Sequence, residues 1–294
     1  MIIISVGGGL GNQMFEYSFY YKLKKMYPSQ IIKLDTKYGF PQAHNGIEVE
    51  KIFNLQSEKA SYEEVKAVID KKMVGEYENI FISLMREIRK KTGLQKKSFL
   101  AQHDFTKYYP EFLNLDNEQS YYLFGPFCNS LYFNDIKKEI QQLFIFPQIN
   151  KQNEKWMDLI RENICVSIHI RRGDYLQLNV GTLPNEYYQK AISYFIEKIG
   201  SQKIVFLAFT DDVDYVRKNF GWVSNLYLVE ENTGANSYRD MQLMSLCAHN
   251  INANSTFSFW GAYLNQNPDK IVIAPKQPVN RCNYPFTCDG WIMI

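Results

Sequence analysis

A chain of 294 residues is long enough for two domains of ordinary size, and 46% hydrophobic against 22% charged residues reads as a soluble globular protein rather than a disordered one. Its 33 basic and 31 acidic residues leave a formal net charge of +2, so no bulk field steers it to nucleic acid, which is excluded as a partner. Five scattered cysteines (Cys128, Cys165, Cys247, Cys282 and Cys288) suit reduced thiols better than a secreted disulfide framework, although Cys282 and Cys288 are near enough in sequence to pair.

From the amino end, the apolar run Ile2 to Val6 predicts a buried strand. It is too short for a signal-peptide core, and no window approaches the roughly eighteen apolar residues of a membrane span. Gly7 to Asn12 reads as a loop and Gln13 to Lys25 as a helix, with Phe15, Phe19 and Leu23 at helical spacing. A second strand, Ile31 to Leu34, ends at Asp35, and this alternation implies a parallel sheet. Ser61 to Ile69 is expected to be helical, and Ile80 to Lys91 is amphipathic. The basic positions Arg86, Arg89, Lys90, Lys91, Lys96 and Lys97 read as a solvated face, with peripheral contact to a membrane surface as the minor alternative. Tyr121 to Phe124 predicts a strand and Asn134 to Leu143 a helix, and the polar stretch Pro147 to Glu154 is the candidate linker. The expected domains are therefore 1–149 and 150–294.

The second half repeats one pattern. Strands are predicted at Cys165 to Ile170, Ile204 to Phe209, Leu226 to Val229, Asn250 to Ala253 and Ile271 to Ala274. Helices are predicted at Asn185 to Ile199, Val213 to Phe220, Arg239 to Cys247 and Thr256 to Leu264. Strand and helix units of this length argue for a doubly wound, Rossmann-like domain, which makes the chain α/β in class.

Three clusters carry candidate chemistry. The strand ending at Ile170 runs into Arg171-Arg172-Gly173-Asp174-Tyr175, preceded by His169. Ligands of parallel sheets sit beyond the carboxyl ends of the strands, and Arg recognises phosphate in a planar, bidentate way that Lys cannot match. The plainer reading is a surface turn in which Arg172 and Asp174 pair. Asn254-Ser255-Thr256-Phe257 opens the last helix, where Ser255 or Thr256 can cap it, cradle a phosphate, or do both. Asp211, Asp212 and Asp214 superficially match an Asp-x-Asp metal signature, but an acidic helix start with Asp211 as N-cap is preferred, because Arg171 already supplies the countercharge a metal would bring. With four histidines, of which His169 and His249 are the notable ones, no zinc site can be composed. Gly7-Gly8-Gly9-Leu10-Gly11-Asn12-Gln13 fails both the dinucleotide fingerprint and the P-loop ending, so NAD and ATP are disfavoured while another anion remains admissible. A turn serving only strand-to-helix packing is the equal alternative there.

Together, Gly9-Leu10-Gly11-Asn12-Gln13-Met14-Phe15, the run His169 to Tyr175, and Asp240 to Trp260 resemble, in order and spacing, the bacterial α-1,2-fucosyltransferases of glycosyltransferase family 11. The resemblance implies a two-domain GT-B-like fold with the active site in the interdomain cleft, an amino-terminal acceptor-side domain and a carboxyl-terminal GDP-sugar domain. It implies a GDP-fucose donor, no metal or other cofactor, and inverting transfer to the 2-hydroxyl of a terminal β-galactoside, in an O-antigen or similar lipid-linked glycan at the cytoplasmic face of the inner membrane. By position, Arg171 would hold the β-phosphate, with His169, Arg172 and Asp174 shaping that site. Thr210 and Asp211 would lie near the nucleoside, Asn254, Ser255, Thr256 and Phe257 near the phosphates or base, and Asn12 with Gln13 would face the pyrophosphate from the first domain. Asp35 is a candidate general base that competes with an ordinary turn-residue role. The chain departs from the family at Asn252, usually apolar, at Phe259, often Trp, and at Phe127-Cys128-Asn129-Ser130-Leu131, where a more polar run is usual. The resemblance thus fixes the donor more closely than the acceptor. A fucosyltransferase of another linkage, a metal-dependent glycosyltransferase using Asp212 and Asp214, and a noncatalytic nucleotide-sugar or glycan-binding protein on the same scaffold are the alternatives.

Overall fold

The computed structural model describes residues 1–38, 45–69, 98–177, 180–200, 204–278, 280 and 282–294. The amphipathic segment Ile80 to Lys91 and the basic run to Lys97 lie outside the described residues. The chain divides into two compact units, Met1–Leu143 and Phe144–Ile294.

In the first unit, strands β1 (Ile2–Ser5), β2 (Ile32–Asp35), β3 (Phe99–Ala101) and β4 (Tyr121–Phe124) form a parallel sheet in the order β2-β1-β4-β3. Helix α1 spans Leu10–Met26, three residues into the run expected to be loop, so that Gly11 and Asn12 belong to its first turn. Short helices α2 (Val49–Phe53) and α3 (Tyr62–Val68) follow. Ser61 caps α3 in a capping box with Glu64, each side chain bonded to the other's backbone N–H. The apolar residues Val65, Val68 and Ile69 then pack on Ile3, Phe99 and Tyr122 of the sheet. Helix α4 (Lys137–Leu143) closes the unit, and a 3-10 turn at Asn134–Ile136 replaces the start of the longer helix expected there.

The second unit opens with helix α5 (Glu154–Glu162), which begins at the last residue of the expected linker. The stretch from residue 144 is bound to this unit: Phe144 packs edge-on to Trp260 at 5.2 Å, Arg239 Nη1 donates to the carbonyls of Pro147 and Gln148, and Gln242 Nε2 donates to that of Pro147. Polar composition suggests a free linker, but buried side chains satisfy its carbonyls.

Strands β5 (Ile164–Ile170), β6 (Ile204–Thr210), β7 (Leu226–Val229), β8 (His249–Ile251), β9 (Val272–Ala274) and β10 (Ile292–Met293) form a parallel sheet in the order β10-β9-β8-β5-β6-β7. Alternate residues of the central strands serve opposite faces, which is why their sequences read as continuous apolar runs. Val166, Ile168, Ile170, Phe206 and Ala208 pack with Tyr187, Tyr188, Ala191 and Phe195 of helix α7 (Asn185–Ile199), which follows the short helix α6 (Gly173–Gln177). On the other face Cys165, Val205, Leu207 and Phe209 pack with Trp156 of α5 and with Leu243, Met244 and Cys247 around helix α9 (Tyr238–Leu246), which follows α8 (Val213–Asn219). Helix α10 (Thr256–Leu264) lies between β8 and β9 in sequence. Two parallel α/β units in succession are the Rossmann-like halves that a GT-B-like plan requires.

Candidate functional site

Strand order locates the site within the second unit. From β5 the chain builds outward through β6 and β7, then returns to the other flank of β5 with β8, so the order reverses between β5 and β8. A crevice opens beyond the carboxyl ends of strands at such a switch point. The loop after β5 carries Arg171 and Arg172, the end of β6 carries Thr210 and Asp211, and the loop after β8 carries Asn252, Asn254 and Ser255.

Arg171 is half-buried between two carboxylates. Its Nη2 lies 2.8 Å from Asp174 Oδ1 and its Nε 3.0 Å from Asp211 Oδ2, and its guanidinium carbon lies 5.5 Å from the centre of the Tyr175 ring. The two carboxylates outweigh the burial penalty and hold its pKa above the ordinary arginine value. Arg172 is tied down differently. Its backbone N–H donates to Asp211 Oδ1 at 2.8 Å, its Nε donates to Asp212 Oδ2 at 3.1 Å, and its guanidinium lies 3.5 Å from the Tyr215 ring centre. The expected local pairing therefore exists with its partners exchanged, since Arg171 rather than Arg172 takes Asp174.

This arrangement corrects the expected cap. Asp211 is not the N-cap of α8: its two oxygens hold Arg171 and the Arg172 backbone, while Asp212 accepts from Tyr215 N–H at 3.0 Å and is itself fixed by its N–H donating to Thr210 Oγ1. Gly173 fits against the Asp211 carboxylate, because a Cβ there would stand 3.0 Å from Asp211 Oδ2. Of the Asp-x-Asp pair, Asp212 is committed to the cap and to Arg172.

His169 is the penultimate residue of β5 and is buried. Its ring lies 5.7 Å from Phe257, its carbonyl accepts from Tyr188 OH, and its Nδ1 is buried without a hydrogen-bond partner. Burial first, and then Arg171, lower its pKa to about 3, so the imidazole is neutral at working pH. Across the switch point, Tyr175 OH donates to the Asn254 carbonyl at 3.2 Å and Asn254 Nδ2 donates to the Gly181 carbonyl, leaving Asn254 Oδ1 buried without a partner. Ser255 caps α10 by accepting from Phe257 N–H at 3.3 Å, and Thr256 begins the helix. Asn252 sits beside them, with its carbonyl accepting from Tyr187 OH and its Nδ2 orphaned in the interior. Three unpaired buried polar atoms where the neighbouring strands β5 and β8 end mark a place for a polar ligand.

The first unit has its own switch point, between β1 and β4. Asn12 lies there, with Cys128 Sγ 3.8 Å from its Oδ1. Gly8 adopts φ +67°, where a Cβ would fall 2.8 Å from Asn12 Nδ2, so another residue there would be strained and would displace the Asn12 amide. Gln13, expected to touch ligand, is instead a clamp. Its Nε2 donates to the Gly8 and Gly46 carbonyls and its Oε1 accepts from the Glu48 and Val49 N–H groups, which fills the amide's hydrogen-bonding capacity. Asp35 is likewise spent as a turn residue, accepting from Lys37 N–H, Tyr38 N–H and Tyr122 OH while buried. Sequence reasoning missed Glu16, fully buried on α1, whose Oε2 accepts from Gly7 N–H at 2.9 Å. Burial drives its pKa well above the usual carboxylate range, so it holds its proton to a higher pH than an ordinary glutamate does.

The model of glycosyl transferase family 11 matches residues 1–288. The O-antigen biosynthesis glycosyltransferase WbnK of Escherichia coli is 33% identical over 98% of this chain and 99% of its own length. An α-1,2-colitosyltransferase of Escherichia coli is 30% identical over 94% of this chain and 91% of its own length. The galactoside α-(1,2)-fucosyltransferase 1 of Aotus azarae is 24% identical over 47% of this chain and 41% of its own. Among solved structures, the fucosyltransferase NodZ from Bradyrhizobium aligns at a TM-score of 0.47 and 13% identity, covering 88% of this chain and 91% of that one.

Proposed function

The chain belongs to glycosyl transferase family 11, and on that premise we propose that it moves L-fucose from GDP-β-L-fucose to the 2-hydroxyl of a terminal β-galactoside, with inversion and without a metal. The observation that carries the reading is Arg171 held at the switch point of the second sheet by Asp174 and Asp211, beside the unpaired polar atoms of His169 and Asn254.

In the proposed reaction the acceptor oxygen bonds to the anomeric carbon as the bond to the β-phosphate breaks on the opposite face. Negative charge grows on the departing GDP. A guanidinium already fixed in place stabilises that charge more in the transition state than in the ground state. Asp174 and Asp211 preset its orientation, so no reorganisation is required as charge develops. Neutral His169 adds no repulsion to Arg171 and offers a ring nitrogen to the donor. Thr210 and Asp211 at the end of β6 border the nucleoside, and Ser255, Thr256 and Phe257 border the phosphates or base. Asp35 is buried and accepts three hydrogen bonds, which fits an oxocarbenium-like path in which the acceptor proton departs late to solvent water rather than one driven by that carboxylate.

The acceptor is proposed to be an O-antigen or similar surface glycan, which would place the enzyme in the cytoplasm or peripherally at the inner membrane face. Among the described residues no helix is long and apolar enough to cross a membrane. A second reading has support from the colitosyltransferase relative, namely the same linkage made from a different sugar donor. Parallel incubations with GDP-fucose and GDP-colitose separate the two: faster acceptor-dependent GDP release from the fucosyl donor upholds the first, and the reverse order replaces it.

A further inference from the structure

Strands β5 and β8 carry polar side chains at two successive levels of one buried face of the second sheet. They pair in parallel with Val166 opposite His249, Ser167 opposite Asn250 and Ile168 opposite Ile251. Ile168, Ile170, Ile251 and Ala253 all pack in the core against α7. Side chains alternate along a strand, so Ser167, His169, Asn250 and Asn252 point to the other face. The lower level is complete: Asn250 Nδ2 donates across the strands to Ser167 Oγ at 2.8 Å and to the Met244 carbonyl, and its Oδ1 accepts from Asn265 Nδ2. One pair further along, the same register sets His169 opposite Asn252, whose N–H continues the ladder by donating to the Ile273 carbonyl at 2.8 Å. This upper level is incomplete. His169 Nδ1 and Asn252 Nδ2 are both buried without a hydrogen-bond partner among the described residues.

The surroundings of the His169 ring narrow the choice of partner. On its other flank β6 sets Phe209 opposite it, and Phe257 of α10 lies 5.7 Å from the ring. Neither is a conventional hydrogen-bonding group. The ring is neutral at working pH, so one of its nitrogens donates and the other accepts, and the partner of one decides where the proton sits. Asn252 Nδ2 can only donate. A proton on Nδ1 would set two donors against each other in the interior, whereas a bare Nδ1 accepts from the amide and leaves the proton on Nε2. Ser167 and Asn250 span the same two strands one level below, and the terminal torsion of an asparagine is soft, so a turn of the Asn252 amide or one ordered water closes the gap.

We propose that Asn252, one of the chain's departures from the family pattern, is the positioning residue of His169: its amide N–H holds the ring in the Nε2–H form, so that His169 presents a donor rather than an acceptor to the nucleotide sugar. The nucleotide's part in this rests on the glycosyl-transfer reading above, while the place of the proton does not. The test reads the ring nitrogens of isotope-labelled histidine by long-range proton–nitrogen correlation NMR at about pH 7, where an unperturbed imidazole is largely neutral. The unaltered protein, Asn252→Leu and Asn252→Asp are compared, with His169 assigned by the signals missing from His169→Asn. The unaltered protein should show a bare Nδ1. Asn252→Leu keeps the size and removes the donor, so that preference should be lost, and Asn252→Asp exchanges the donor for an acceptor and should place a proton on Nδ1. By calorimetry the dissociation constant of GDP-fucose should rise about tenfold in both variants, the effect of one hydrogen bond. A protonated Nδ1 in the unaltered protein, ring shifts common to all three proteins, or a GDP-fucose affinity that neither variant changes overturns the assignment. An unaltered protein that binds no GDP-fucose contradicts the functional reading instead, and the role of Asn252 is then decided by the ring nitrogens alone.

Discussion

Replacing Glu16 with glutamine isolates the free energy stored in one buried proton. The side chain is wholly buried, and no cation lies within ion-pair distance of it among the described residues; its Oε2 accepts from Gly7 N–H while Oε1 has no partner. The folded form therefore keeps a proton that the unfolded chain releases above an ordinary glutamate pKa of 4.5. With more protons bound in the folded than in the unfolded state, stability must fall as pH rises from that value toward the raised folded pKa. The slope is about 1.4 kcal/mol per pH unit across that window. The Glu16→Gln side chain retains an acceptor for Gly7 N–H and does not titrate, so the two proteins match near pH 4.5 and the variant gains at every higher pH within the window. Asp240, raised by burial to about 7, adds a slope of the same sign, and His169, lowered to about 3, adds one of opposite sign below its ordinary value. Both occur in each protein and cancel in the difference. Urea unfolding at half-unit intervals from about pH 4.5 to about pH 8, followed on the transition of the first unit, gives that difference directly. A gap between the two proteins that stays constant with pH refutes a protonated Glu16.

Three further outcomes concern the Arg171 site and a fourth the loop after β4. Arg171→Ala is expected to lose about 100-fold to 1,000-fold in kcat, as removal of a preorganised charge-stabilising donor does, and Arg171→Lys should recover little, because an ammonium cannot span Asp174 and Asp211; steady-state GDP release decides this, and retention of most activity removes Arg171 from the role. Asp211→Asn keeps an acceptor for Arg172 N–H but loses the ion pair with Arg171 Nε, so kcat should drop about tenfold with little change in melting temperature. Since His169 is already neutral, the rate between about pH 5 and about pH 8 should show no limb that His169→Asn abolishes. Gly125→Ala forces a Cβ to within 2.7 Å of Gln102 Oε1 at φ +146°, and should cost on the order of 1–3 kcal/mol in urea unfolding.

Much of this was legible in the residues for identifiable reasons. Cys165 to Ile170 had to be a doubly buried strand because its apolar run is continuous, and a cation placed at its end had to meet the crevice. The helix Asn185–Ile199 and the strand Leu226–Val229 matched residue for residue. Other features depend on geometry that spacing does not encode. Asp211 and Asp212 are equivalent as letters, and only the Thr210 hydroxyl and the Arg171 guanidinium assign the cap to the second. Gln13 in a glycine turn reads as a ligand contact until its amide is seen to be filled by four backbone groups. Glu16 was invisible because α1 is buried on nearly every side, so no polar face excluded it from the interior. β3 is three residues long, below the length at which alternation can be recognised.

The most direct test of the central claim is GDP release from GDP-fucose with and without lactose, repeated in EDTA, with the product linkage read by NMR. Acceptor-dependent release that survives EDTA and yields an α-1,2 linkage is the predicted result. Release that stops in EDTA, a different linkage, or no dependence on any β-galactoside contradicts it.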